Sequence, residues 1–309
     1  MALITFFSAK GSPGVTTTAM MTAALWPRPC VLVDADPHGG DIALRLPRPD
    51  GRPLTSDRGL LSLLPLARRG LAPEVVLDHC QEAMGGQLLL AGLAGPEQAS
   101  AVGGLWAELA TVFTRLPGHD VIVDAGRAHS TAVHLPLLRQ SQLVAGVFRP
   151  TVAGVMTLRS RLAALKDPLG AGRAGGPRVG VVSVDDVQHQ REALAAVSGI
   201  QAELPWVESF GQVALDRKAA VMFDGQPVSR PERTMLVRSG QRLADTLARS
   251  VAAPEVPEAG EVGEVGQVAG ADVVADAEPG MPREAFDTDE DTRANRRRSR
   301  GVLRRRSQV

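Results

Sequence analysis

The chain has 309 residues, with 34 basic and 34 acidic side chains, two cysteines and no tyrosine. Its length suits one large domain or two ordinary ones. A hydrophobic content of 44% is enough for a sizeable core, which must be aliphatic because only 3% of residues are aromatic. Cys30 and Cys80 are too few for a disulfide framework or a four-cysteine metal site. No run of about 18 apolar residues offers a membrane-spanning helix. Met1 to Lys10 lacks the charged start and long apolar stretch of a secretory signal, so the cytoplasm is the expected compartment.

Residues 1–250 alternate short aliphatic runs with helical patterns. Strands are expected at 2–7, 30–34, 87–91, 120–124, 142–148, 178–183 and 201–204. Most are continuous apolar runs, as in strands buried on both faces. Helices are expected at 16–26, 96–116, 130–140, 152–166, 190–198, 212–218 and 240–250, with shorter pieces at 60–68 and 73–79. This alternation predicts an α/β fold, doubly wound around a mostly parallel sheet. Residues 251–309 read differently. Up to Pro282 they are almost wholly Ala, Val, Gly, Pro, Glu and Asp, a composition that cannot offset its ordering entropy by burial and is expected to be disordered. An acidic stretch from Glu284 to Asp291 follows, and then eight arginines between Arg293 and Arg306. The tail carries a net −3 and residues 1–250 a net +3. The overall zero is therefore an average over unlike segments, and it does not count against a polyanionic partner.

The first strand runs into Ser8-Ala9-Lys10-Gly11-Ser12-Pro13-Gly14-Val15-Thr16-Thr17-Thr18 and then a helix. A glycine-bearing loop between a buried strand and a helix N-terminus is an anion site, because backbone N–H groups converge there and the helix dipole adds positive potential. The usual phosphate loop ends in Gly-Lys-Ser/Thr. Here Val15 stands at the Lys position, while Thr16 keeps the hydroxyl that ligates Mg²⁺. Pro13 removes one backbone donor from the cradle. Two further blocks follow, Val31-Leu32-Val33-Asp34-Ala35-Asp36-Pro37 and Val121-Ile122-Val123-Asp124-Ala125-Gly126.

In these three blocks the chain resembles the ParA/MinD family of deviant Walker A ATPases, including atypical TadZ/CpaE-like members. The resemblance covers about residues 1–250. It implies a P-loop NTPase fold that binds ATP with Mg²⁺ and closes a homodimer. Lys10, Gly11, Ser12, Gly14, Val15, Thr16, Thr17, Asp34 and Asp124 then fall at nucleotide-binding positions. Lys10 is the early lysine that reaches the partner subunit's nucleotide, Asp36 places the attacking water, and Thr16 and Asp124 serve Mg²⁺, Asp124 through water. Gly126 moves when the γ-phosphate leaves. Arg149-Pro150-Thr151 and Leu204-Pro205-Trp206-Val207 fit later blocks of the family. The sequence departs from the family at Ser12, Pro13 and above all Val15. Arg127 faces either phosphate or solvent, and the sequence does not choose.

The implied function is a nucleotide-dependent dimeric switch in chromosome or plasmid partitioning, or in positioning a cell-envelope machine. The alternative is a non-hydrolysing scaffold for a pilus or secretion system, favoured by Val15 and Pro13. The arginines between Arg293 and Arg306 suit DNA phosphates or an anionic membrane surface. The apolar pair Val302 and Leu303 is too small for insertion. Cys30 and Cys80 read as buried thiols, and His129 and His134 lack the spacing of a helical metal pair.

Overall fold

The computed structural model describes residues 1–11, 13–55, 57–67 and 69–252. Ser12 and the expected tail beyond residue 252 lie outside the described residues. One sheet is built from β1 (Leu3–Ser8), β2 (Cys30–Asp34), β3 (Gln81–Ala83), β4 (Gln87–Leu90), β5 (Asp120–Arg127), β6 (Leu143–Phe148), β7 (Arg178–Asp185) and β8 (Val207–Ala214). The strand order is β3-β4-β2-β5-β1-β6-β7-β8, and only the β3–β4 pair is antiparallel. The helices are α1 (Val15–Ala24), α2 (Ile42–Arg45), α3 (Leu60–Ala67), α4 (Pro73–Asp78), α5 (Pro96–Val102), α6 (Leu105–Phe113), α7 (Leu135–Gln140), α8 (Val152–Leu169), α9 (Gln190–Glu203), α10 (Arg217–Ala220) and α11 (Met235–Ala252).

The central strands are aliphatic throughout because both faces of the sheet are covered. Alternate residues feed two apolar clusters. Leu3, Phe7, Val31, Val33, Val121 and Val123 pack with Trp106 and Phe113 of α6 and Leu162 of α8. Ile4, Phe6, Leu32 and Ile122 pack on the other face with Met20 and Met21 of α1 and Leu243 and Leu247 of α11. Gly240 lets α11 pass close to α1, since a side chain there would collide with Met21. At the N-terminal ends of the strands Asp120 is a fastener. It accepts from the Ala2 amide at 2.7 Å, the Trp26 indole at 2.8 Å and Arg28 Nε at 2.6 Å. Burial would raise this carboxyl, but these donors outweigh burial and hold it below the usual carboxylate range.

Several expected elements differ. Residues 201–203 close α9 and Leu204 is its C-cap, and the final strand is β8 instead. Gln212, Val213 and Ala214 lie in β8, and only Arg217 and Lys218 of the expected helix at 212–218 are helical, at the start of α10. The helix expected over 96–116 is two, interrupted where Gly103 adopts φ +42° beside Gly104. The helix expected from 130 begins at Leu135. The antiparallel β3 and the helical start of α11 at Met235 carry no clear sequence signal.

Candidate phosphate site

The site lies at the carboxyl ends of the central parallel strands, where doubly wound sheets open a crevice for ligands. Here β1 delivers the glycine loop and neighbouring strands deliver carboxylates. Gly14 opens α1 at φ +103°, a left-handed conformation that disfavours any side chain, and Gly11 sits at φ +73°. Among the described residues no side chain caps α1, and its first turn holds no acidic residue. The orphan amides of that turn are therefore available to an anion. Gly11, Gly14, Val15, Thr16 and Thr17 line a cleft of about 380 Å³ together with Asp34, Asp36 and Asp124.

The carboxylates are set by strand register. Asp34 ends β2 directly opposite Asp124 of β5, and Asp124 also pairs with Phe6 of β1. Asp34 is 1% exposed; Oδ2 accepts from the Ile42 amide at 3.2 Å, and Oδ1 has no hydrogen-bond partner among the described residues. Gly40 and Gly92 leave room for this carboxyl, because a Cβ at Gly40 would collide with it and one at Gly92 would crowd its backbone. Burial, and then the charge of Asp124, push Asp34 up to about 8. Asp124 is likewise raised by burial, to about 6, partly offset by the neighbouring Thr16 hydroxyl and by the Gly126 amide, which donates to Oδ1 at 2.9 Å. Gly126, at φ +57°, makes space for Asp36, which a side chain there would strike. Asp36 in turn accepts from the His38 amide at 2.8 Å.

Two cations line the cleft, Arg45 and Arg127. Arg45 is held by Asp224 at 2.8 Å and by Asp41 at 3.8 Å. Val15 points into the apolar cluster under α1 and is 8% exposed. Lys10 is exposed and lines a different hollow, with Phe148, Arg149 and Thr151. The structure thus brings the loop residues, Asp34, Asp36 and Asp124 to one cleft and leaves Lys10 outside its lining. Sequence reasoning missed Arg45, whose anchor Asp224 is remote in the chain. It left Arg127 undecided, and the structure puts that residue in the cleft. His134 is fully buried, with its ring 6.0 Å from that of Trp106, and burial holds it neutral at about 4. Cys30 and Cys80 are free and buried, which raises their thiols to about 11 and about 12.

A glycine loop between a central parallel strand and a helix, with carboxylates on the flanking strands, defines a phosphate-loop nucleotide-binding fold. No protein-family model matches the chain, and no curated protein matches its sequence. Solved structures do. A ParA family ATPase from Chlorobium tepidum superposes with a TM-score of 0.62 at 17% identity, over 79% of this chain and 98% of that one. The cell division ATPase MinD of Pyrococcus furiosus gives 0.59 at 19% identity, over 81% and 99%. The septum site-determining protein MinD of Pyrococcus horikoshii, complexed with Mg-ADP, gives 0.57 at 16% identity, over 81% and 98%. The chain has the fold of the ParA and MinD ATPases.

The buried carboxyl of Asp34 makes a prediction about the protein without ligand. Its pKa is raised on folding, so its contribution to stability is complete below about 4 and is lost as pH rises through about 8. Asp34→Asn keeps the shape and removes the titration. The variant should melt several degrees above the wild type at pH 8.5 and near it at pH 4.5 in thermal unfolding followed by circular dichroism. Equal melting temperatures at both pH values would contradict the assignment.

Proposed function

We propose that the chain is a ParA/MinD-like, nucleotide-binding switch with a weakened phosphate loop. The observation that carries this reading is the convergence of the uncapped α1 N-terminus with Asp34 and Asp124 in one cleft. The residues present fit a magnesium nucleotide. Four carboxylates, Asp34, Asp36, Asp41 and Asp124, line the cleft against two arginines, so a polyphosphate needs a counter-cation there. Among the described residues no three His, Cys, Asp or Glu side chains converge as a metal cage. A Mg²⁺ would therefore share phosphate oxygens and water with the protein, as Mg²⁺ prefers. Thr16 and Asp124 would hold it, and it would neutralise phosphate charge.

The chain's own residues supply the rest. The amides of Gly14, Val15, Thr16 and Thr17, with that of Gly11 before them, cradle the phosphates; Ser12, which the resemblance adds, lies outside the described residues. Asp36 orients the attacking water; its seat against Gly126 links it to the strand end that carries Asp124. Lys10, exposed and outside the lining of its own cleft, suits contact in trans across a homodimer. Closing that dimer would create the surface read by a protein partner. The cargo is assigned by class, a partitioned chromosome or plasmid or a positioned envelope machine, with the protein in the cytoplasm and drawn to nucleoid or membrane.

A second reading has its own observation. Val15 is committed to the core where the family resemblance expects a cation. A non-hydrolysing scaffold would keep the fold and the dimer surface and use nucleotide only structurally. Loss of a charge-assisted phosphate contact costs about 1.5–3 kcal/mol, or roughly 10–150-fold in affinity. It costs turnover more, because charge stabilisation is most of what such sites do.

Val15→Lys decides between the readings. In the switch reading the variant binds Mg-ATP about tenfold or more tightly than the wild type and hydrolyses it faster, at a few degrees' loss in melting temperature from the disturbed core. Binding by neither protein, measured by calorimetry, would contradict the switch; equal turnover by both would contradict the weakened loop. For the arginines between Arg293 and Arg306 we propose polyanion contact. DNA affinity should fall steeply with salt and drop on removal of residues 283–309. Unchanged affinity after truncation would contradict that role.

A further inference from the structure

The cleft has lost the phosphate-loop lysine, yet it is not without cations, and the two arginines in it are not equivalent. Arg45 is committed to Asp224 and Asp41. Arg127 is exposed and has no ion-pair partner among the described residues. Its backbone is tied to the start of the loop. Arg127 pairs in register with Ser8, the last residue of β1, and the Ala128 amide donates to the Ser8 carbonyl at 3.2 Å. The Ser8 hydroxyl also reaches the Gly126 carbonyl, at 3.4 Å. The irregularity between Phe6 and Ser8 in the β1–β5 pairing falls at this point, so the strand end that carries Arg127 is turned where the loop departs. The same cleft contains the unpartnered, buried Oδ1 of Asp34, an independent sign that a ligand or its cation completes the site.

We propose that Arg127 is the phosphate-contacting cation of this cleft, taking from the end of β5 the charge that Val15 withholds at the start of α1. The role rests on the nucleotide reading above and names the residue through which the site tolerates its substitution. A guanidinium suits it. Its planar fork fixes two parallel N–H donors on the oxygens of one phosphate, a bidentate geometry that a lysine ammonium does not impose. The position differs from that of a phosphate-loop lysine in one respect that matters. Arg127 directly follows Gly126, whose left-handed backbone seats Asp36. A phosphate held by Arg127 would therefore pull on the strand end that orients the water-placing carboxylate. Binding and the switch would be coupled through two adjacent residues.

The test is a thermodynamic cycle on the full chain, with Mg-ATP affinity read by calorimetry. Arg127→Ala should weaken binding about tenfold or more. Arg127→Lys should retain a part of the affinity, because it keeps charge without the fork. Val15→Lys placed on the Arg127→Ala background should restore binding towards that of the wild type, as it returns one cation to the same phosphates. Melting of the ligand-free Arg127→Ala protein should match the wild type, since the side chain is exposed and unpaired. Wild-type binding undiminished in Arg127→Ala would overturn the role of Arg127 and leave the nucleotide reading standing. A weakened Arg127→Ala that Val15→Lys fails to restore would also overturn it, by placing the two side chains on different parts of the ligand. A wild type that binds no Mg-ATP at all would remove the nucleotide reading and this role together.

Discussion

Asp34 and Asp124 lie opposite each other on adjacent central parallel strands, near the carboxyl end of a dry sheet, and most of the site is arranged around their burial and repulsion. Parallel register puts them side by side at the ends of β2 and β5. The flanking glycines Gly40, Gly92 and Gly126 admit the acidic side chains by having none of their own. Burial and like charge raise both carboxyls, and one Asp34 oxygen is left without a partner. Such a pair is costly in a protein that only needs to fold, since unpaired buried charge is among the least favourable things a core can hold. It makes sense where a cation arrives with the ligand and inverts the local electrostatics. The acidic floor and the amide-rich loop are then two halves of one device, each suited to a different part of a magnesium nucleotide.

Val15 changes the balance within that device. Val15 lines the cleft and at the same time packs in the apolar cluster with Met20, Met21 and Phe6. In the proposed reading, valine at this position gives core packing in place of a phosphate contact. The amides, Thr16 and the carboxylates are untouched by it, which is why the loop keeps its left-handed glycines and its uncapped helix. Among the described residues, the cleft-lining cation without an ion-pair partner is Arg127, at the end of β5, next to the residue that seats Asp36. A site rebuilt in this way would hold phosphate from the switch side rather than from the helix side.

Most of the sheet was legible because its strands are buried on both faces and so are written as unbroken aliphatic runs. β2, read as 30–34, has those bounds in the structure, and β1, β4, β5, β6 and β7 are found within a few residues of expectation. β8 was not legible. It is an edge strand, its Glu208, Ser209, Gly211 and Gln212 are not fully buried, and its sequence lacks an apolar run. The apolar signal at 201–204 belongs instead to the closing turn of α9, where Ile200 is buried and Leu204 is the C-cap. The loop and its carboxylates could be read because each lies at or just beyond the end of an aliphatic run. The ion pairs of Arg45 could not, since its firmer partner, Asp224, comes from a distant part of the chain. The placement of Arg127 also needed the register of β1 on β5, which no local pattern encodes.

The measurement that bears most directly on this account is calorimetric titration of the full chain with ATP, once with Mg²⁺ in excess and once with EDTA. A cleft with four carboxylates and a weakened loop should bind ATP only as its magnesium complex, with affinity lost on chelation. Equal affinity with and without Mg²⁺, or no heat of binding in either titration at millimolar ATP, would contradict it.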